Sequence, residues 1–247
     1  LSRLADESEP HSSWKREAAK LQSWLNDMST MPPYKVFVLG NKKLPFYNFS
    51  VLPIVTCPGA GACAKFCYSL KAWRYPAAFF RQLQNTILIK TQSAHITAAF
   101  YRLRQNVTVR LYVDGDFDSV DTITFWFNLL HQRPDLKVYG YSKSWNELLA
   151  YTGIYPTNYK LNLSSGHAHN NATKALVQKL PITRGDFIAL PVLKDVIGKY
   201  KTKDYLFSLN TAAKSAGIAK YFACPGKCGP CTKKGHACGS DSFNDVP

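Results

Sequence analysis

The seven cysteines of the chain fall into two tight clusters, Cys57, Cys63 and Cys67 near the start and Cys224, Cys228, Cys231 and Cys238 near the end. Clustered thiols read as metal ligands. A disulfide scaffold scatters its cysteines along a short secreted chain, whereas here residues 71–223 contain none. Three thiolates leave a coordination position for substrate or cofactor, and four close a structural site. In the first loop Gly59 and Gly61 let the backbone wrap closely round a bound centre, and Phe66 stands ready to shield it. In the tail, Pro225, Gly226, Gly229 and Pro230 bend the chain so that four sulfurs face one point, held by Zn2+ or a [4Fe-4S] cluster. His236 is a substitute ligand there, and Lys227, Lys233 and Lys234 offset thiolate charge or meet phosphate. Spacing alone does not separate iron from zinc in either cluster.

Other polar residues group in three places. They are Asp114-Gly115-Asp116-Phe117, Ser142-Lys143-Ser144, and the stretch from Ser164 through His167 to His169. Lys143 suits a carboxylate, a phosphate or a cofactor. Arg74, Arg81 and Asn85 flank or ride the helix expected after the first cysteine loop, and Arg102, Arg104 and Arg110 with Tyr101 and Tyr112 make a basic, aromatic neighbourhood suited to nucleic-acid strands. His167-Ala168-His169 resembles the histidine-hydrophobic-histidine metal site of rolling-circle DNA-nicking proteins, with Tyr200 or Tyr205 downstream as the tyrosine nucleophile.

The elements that must position these groups follow from periodicity. Trp14, Ala18, Leu21, Leu25 and Met28 recur at helical spacing, predicting a helix over 13–27. Strands are predicted at 35–39, 51–56, 107–113, 137–141, 159–163 and 187–193, and helices at 76–105, 120–131, 145–150 and 171–179. Alternating strand and helix argue a parallel sheet with crossover helices, and each polar group then falls in a loop after a strand's carboxyl end.

Three cysteines with an aromatic before the last, placed after the first strand of a parallel sheet, resemble the radical S-adenosylmethionine superfamily, with longer intervals here of five and three residues. The resemblance implies that Cys57, Cys63 and Cys67 hold a [4Fe-4S] cluster whose fourth iron is chelated by S-adenosylmethionine. An electron donor then reduces the cluster, and cleavage of the sulfonium yields a deoxyadenosyl radical. It implies a cofactor contact at the turn of Gly115 and Asp116; Ser142 and Ser164 are further candidates for cofactor binding, and Lys143 and His167 for catalysis. The more specific likeness is to a phage and plasmid family known as gene product 88. It is similar in Cys-Pro-Gly-Ala through Cys-Tyr, in a Gly-Asp-Phe turn with the downstream Trp126, and in Tyr141-Ser142-Lys143-Ser144. That match runs over residues 51–163.

The expected fold is α/β: a partial parallel (β/α) barrel of radical S-adenosylmethionine type over 51–215, an N-terminal helical cap over 1–50 and a cysteine-rich knuckle over 216–247. Lys and Arg number 31 against 16 acids, a net charge of +15 that draws the protein to a polyanion, nucleic acid first. No apolar run reaches the roughly 18 residues a membrane span needs, and the first residues lack a secretory h-region, so a cytoplasmic protein without membrane contact is expected. No Gly-rich phosphate loop of the nucleotide-hydrolase type occurs. The functions left are a radical S-adenosylmethionine-like iron-sulfur protein acting on nucleic acid, a metal-dependent DNA nickase, and a zinc-stabilised nucleic-acid-binding protein without catalysis.

Overall fold

Short apolar runs along the chain assemble into one six-stranded sheet whose strands lie in sequence order. They are β1 (Val38–Leu39), β2 (Tyr47–Asn48), β3 (Thr108–Leu111), β4 (Lys137–Ser142), β5 (Tyr159–Ser164) and β6 (Thr183–Phe187). The first pair is antiparallel and the rest are parallel. β1 and β6 are its two edges, so the sheet is open. The computed structural model describes residues 12–40, 46–190, 195 and 202–219. The expected knuckle, with Cys224, Cys228, Cys231, Cys238 and His236, lies outside the described residues, as does Tyr200.

Seven α-helices accompany the strands among the described residues: α1 (Ser12–Asn26), α2 (Pro76–Thr91), α3 (Ser93–Tyr101), α4 (Val120–Gln132), α5 (Trp145–Ala150), α6 (Asn171–Val177) and α7 (Lys203–Ser215). Their starts have local causes. Pro76 opens α2 where its missing N–H costs nothing. The Ser119 hydroxyl accepts the Thr122 amide at the head of α4, and the Asn170 side chain accepts the Thr173 amide at the head of α6. Parallel neighbours in sequence order, joined by crossovers of one hand, stack their helices on one face of the sheet. α4 accordingly packs beside α5, and α5 beside α6.

The core sits between that face and the helices. Val109, Leu111, Val138, Leu161 and Leu163 meet Phe100, Ile123, Phe127, Leu130 and Leu148. Trp126 is its centre, with Phe49 4.8 Å away ring to ring and its indole N–H donated to the Tyr112 hydroxyl at 2.8 Å. Burying an indole demands such a partner.

Several expectations shift. The strand predicted at 51–56 is a loop, and the strand that enters the sheet is β2, a few residues earlier. Pro53 has no N–H to give and Ile54 takes a φ of 72°, neither compatible with a ladder. β1, which overlaps the strand predicted at 35–39 within a separate cap, pairs with β2 and is part of the sheet. The helix predicted over 76–105 is two helices broken at Gln92 (φ −143°, ψ 55°). The last strand lies at Thr183–Phe187, earlier than the predicted 187–193, and α7 was not anticipated. The barrel reduces to an open, mostly parallel sheet.

Candidate functional site

The loops after β2, β3, β4 and β5 converge on one edge of the sheet, and hydrogen bonds tie them together. The cysteine loop crosses the fold to reach the β5 loop. The Gly61 and Cys63 amides both donate to the Gly166 carbonyl (3.0 and 3.2 Å), the Ala168 amide donates to the Gly59 carbonyl (3.1 Å), and Ala60 forms a β-bridge with His167. The glycines make this approach possible. A Cβ on Gly59 would stand 1.6 Å from the Lys143 carbonyl oxygen, and one on Gly61 would stand 2.6 Å from the His167 carbonyl. These glycines fit the loop against protein backbone, where the sequence had suggested a wrap round a bound centre.

Cys57, Cys63 and Cys67 are free thiols, all half-buried. Burial pushes the Cys57 thiol up to about 12, and the neighbouring Asp116 charge adds to that while the Lys143 ammonium opposes it. Among the described residues, no three His, Cys, Asp or Glu side chains are gathered into a metal shell as they stand.

Asp116 is buried, and burial lifts its carboxyl to about 6 against the Lys143 amide, the Ser142 side chain and the Phe117 amide, which favour the charge. Its Oδ2 accepts the Lys143 amide at 2.7 Å and its Oδ1 accepts the Phe117 amide at 2.8 Å. Oδ2 therefore holds the β3 turn to the β4 turn, and Oδ1 fixes the β3 turn itself. Gly115 makes that turn at φ +80°, where a Cβ would meet Val51 Cγ2 at 2.2 Å. Asp114 is turned the other way, its Oδ2 accepting from Gln82 Nε2 at 3.0 Å.

The β4 loop carries the cation. Lys143 Nζ donates to Ser164 Oγ at 2.9 Å, joining the β4 and β5 edges. Ser142 is buried and accepts the Ser144 amide at 2.9 Å, while Ser144 Oγ is buried without a partner among the described residues. His169 Nε2 lies 2.6 Å from the Lys143 carbonyl, so it bears the proton and donates. The His169 amide donates to His167 Nδ1 at 3.2 Å. Burial, with His169 and Lys174 nearby, holds His167 below the usual imidazole range. A two-histidine metal site needs a lone pair from each ring, and His167 uses its own inside the loop.

Trp145 escaped the sequence reading as a site residue. Its ring lies 3.9 Å from that of His167 and 5.0 Å from that of His169, stacked on the latter, and its N–H donates to the Ser142 carbonyl. The only local signal was a tryptophan opening a helix straight after Ser-Lys-Ser. Other candidates disperse. Asn85 is buried and donates to the Val36 and Ser50 carbonyls, a structural task. Arg74 is exposed, and Arg81 lies half-buried near Asp114. Tyr112 is in the core, and Tyr101 is exposed on α3 with its hydroxyl on Gln132, so only Arg110 of that basic and aromatic group lies within the sheet. Tyr205 lies in the first turn of α7.

No curated protein and no solved structure matches the chain. Among the described residues, no helix is long and apolar enough to cross a membrane. The family model for gene product 88 matches residues 14–244, which spans both cysteine clusters and every loop of the site. The chain therefore belongs to the gene product 88 family.

Proposed function

We propose that this protein is an iron-sulfur protein of radical S-adenosylmethionine type that acts on or binds nucleic acid. The supporting observation is the meeting of a three-cysteine loop, a glycine-acid turn and two polar loops at the carboxyl edge of a parallel sheet in sequence order. Ligands of open α/β sheets bind at that edge.

The donor set fits a soft, thiolate-bound centre. Cys57, Cys63 and Cys67 would hold the [4Fe-4S] cluster, and the tail cysteines a second cluster or Zn2+. When bound, the cluster supplies the single electron that cleaves S-adenosylmethionine reductively. A thiol pushed up to about 12 stays protonated at neutral pH, so a cation must replace the Cys57 proton, and loading releases it. The bridges from Gly61 and Cys63 to Gly166 hold the loop's shape. Asp116 acts by placement: with both oxygens on backbone amides it fixes where Gly115 and Lys143 stand. Lys143, seated on Ser164, offers a cation to a carboxylate or phosphate. Ser142 and the Ser144 hydroxyl, without a partner among the described residues, add polar contacts, and His167 is a neutral imidazole on the same rim.

Protein purified without oxygen should contain iron with matching acid-labile sulfide and a visible iron-sulfur absorbance. Cys63→Ala, folded by circular dichroism, should lose about four irons. Parental iron in that variant would overturn the loop's role. Zinc without sulfide would overturn the radical chemistry and leave a zinc-stabilised nucleic-acid-binding protein.

A further inference from the structure

Between Asp27 and Asp114 the chain contains no Asp or Glu and eleven Lys or Arg, and the three-cysteine loop lies within that stretch. After Cys67 it forms a 3-10 helix over Tyr68–Arg74. Residues three apart in such a helix stand one above the other, about 6 Å apart along its axis. Tyr68, Lys71 and Arg74 make one such row and all three are exposed, whereas Ser69, Leu70, Ala72 and Trp73 between them are covered in whole or in part. Lys65, in the 3-10 helix Ala62–Phe66 just before, and Tyr75, just after, are exposed as well. Cations and aromatic rings thus mingle along a stripe that starts among the cysteines.

Three observations give the stripe a ligand chemistry. Lys65, Lys71 and Arg74 take part in no ion pair among the described residues. Asp114, whose charge reaches the Tyr68 hydroxyl, is half-buried and held by the Ser69, Ser50 and Gln82 side chains beside Arg110. The rings come next. Tyr68 is 61% exposed, yet its hydroxyl donates to the Val113 carbonyl at 2.7 Å, so the tip is pinned at the start of the 114–117 turn and the ring stands open. Tyr75 is 69% exposed. Finally, the helix is fixed from behind: Ser69 is buried, the Trp73 N–H donates to Gln82 Oε1 at 3.0 Å, and the Trp73 ring meets Phe79 of α2 edge to face at 5.3 Å. A surface held in place loses little freedom when it binds.

We propose that this stripe binds single-stranded nucleic acid, with phosphates meeting Lys65, Lys71 and Arg74 and bases stacking on Tyr68 and Tyr75. A duplex hides its base faces, whereas splayed bases stack on open rings while cations track the backbone. An acidic polypeptide would use the cations and leave both rings without a flat partner. Because the stripe starts at Lys65, between Cys63 and Cys67, a strand lying on it reaches the candidate site. The proposal rests on the nucleic-acid part of the function proposed above and is independent of the cluster.

Fluorescence anisotropy of the full chain with labelled oligothymidylate, oligouridylate, a duplex of equal length and polyglutamate of equal charge tests it. The parent should bind a single strand more tightly than the duplex or polyglutamate. Tyr75→Ala should weaken that binding about tenfold and Tyr75→Phe should keep it, which separates loss of the ring from loss of the fold. Lys71→Gln combined with Arg74→Gln should flatten the slope of log affinity against log salt by about 1.4, two phosphate contacts at about 0.7 each. Lys15→Gln, at an exposed position of α1, should leave the slope unchanged. A parent that binds oligonucleotide while the Tyr75→Ala and the Lys71→Gln, Arg74→Gln proteins bind equally well overturns the assignment of this stripe and leaves the broader reading standing. Preference for the duplex overturns the single-strand specificity, and tighter binding of polyglutamate makes the stripe a dock for an acidic protein and overturns the proposal. A parent that binds none of the three nucleic acids overturns both readings.

Discussion

A methyl group added at Gly59 would fall 1.6 Å from the Lys143 carbonyl oxygen and 2.7 Å from His169 Nε2, both fixed by their own hydrogen bonds. With backbone on one side, nothing flexible can give way. Gly59→Ala should therefore cost about 1–3 kcal/mol in urea denaturation, as overpacking of a closed site does. Gly217 has nothing within 4 Å and only its φ of +71° to defend, so Gly217→Ala should cost about 1 kcal/mol. Asp116 has a different signature. Its carboxyl is lifted from 3.8 to about 6, so between those values the folded chain binds more protons than the unfolded chain. Its contribution to stability is present below that window and lost as pH rises through it, about 3 kcal/mol in all. In metal-free protein the stability of Asp116→Asn relative to the parent should thus rise between pH 4 and pH 7. Parallel urea midpoints across that range would remove the buried carboxyl from the account.

At the scale of elements, legibility followed local chemistry. α5 was expected at 145–150 and lies there, and α4, β4 and β5 start where periodicity put them. Caps explain the sharpness: Ser119→Ala removes the acceptor for the Thr122 amide at 3.2 Å and should cost about 1 kcal/mol by the same denaturation assay. The break at Gln92 had no such mark, since Thr-Gln-Ser contains neither glycine nor proline. Its backbone leaves the helical region there, and Leu88 in α2 and Ile96 in α3 are both buried in the one core on either side of it. The misplaced first parallel strand has the converse cause. Residues 51–56 are apolar enough for a strand, but their backbone groups are bonded within the turn: the Val55 amide goes to Pro53 and the Cys57 amide to Ile54.

For the whole molecule, one tryptophan gathers the core. Trp126 lies against Phe37, Phe49, Phe100 and Tyr112, which come from four separate stretches of chain. Trp126→Ala should cost about 3–5 kcal/mol, a large share of the roughly 5–15 kcal/mol that holds a domain folded. A urea midpoint unchanged by that variant would mean that the sheet and helices are not one cooperative unit. The net charge of +15 acts at the same scale through attraction to polyanions.

The sequence alone determined that the thiols come in two clusters, that strands and helices alternate, and that the polar loops fall after strand ends. Each of these depends on residues close together in the chain, where spacing and periodicity are legible without any fold. Only the tertiary structure decided which groups meet. Gly59 abuts Lys143, Trp145 stacks on His169, Asp116 closes on the Lys143 amide, and Arg110 and Lys160 flank Tyr139. Most of these pairs are tens of residues apart, and their meeting depends on strand register and on which face each side chain takes. A slip of one residue would send every one of a strand's side chains to the other face.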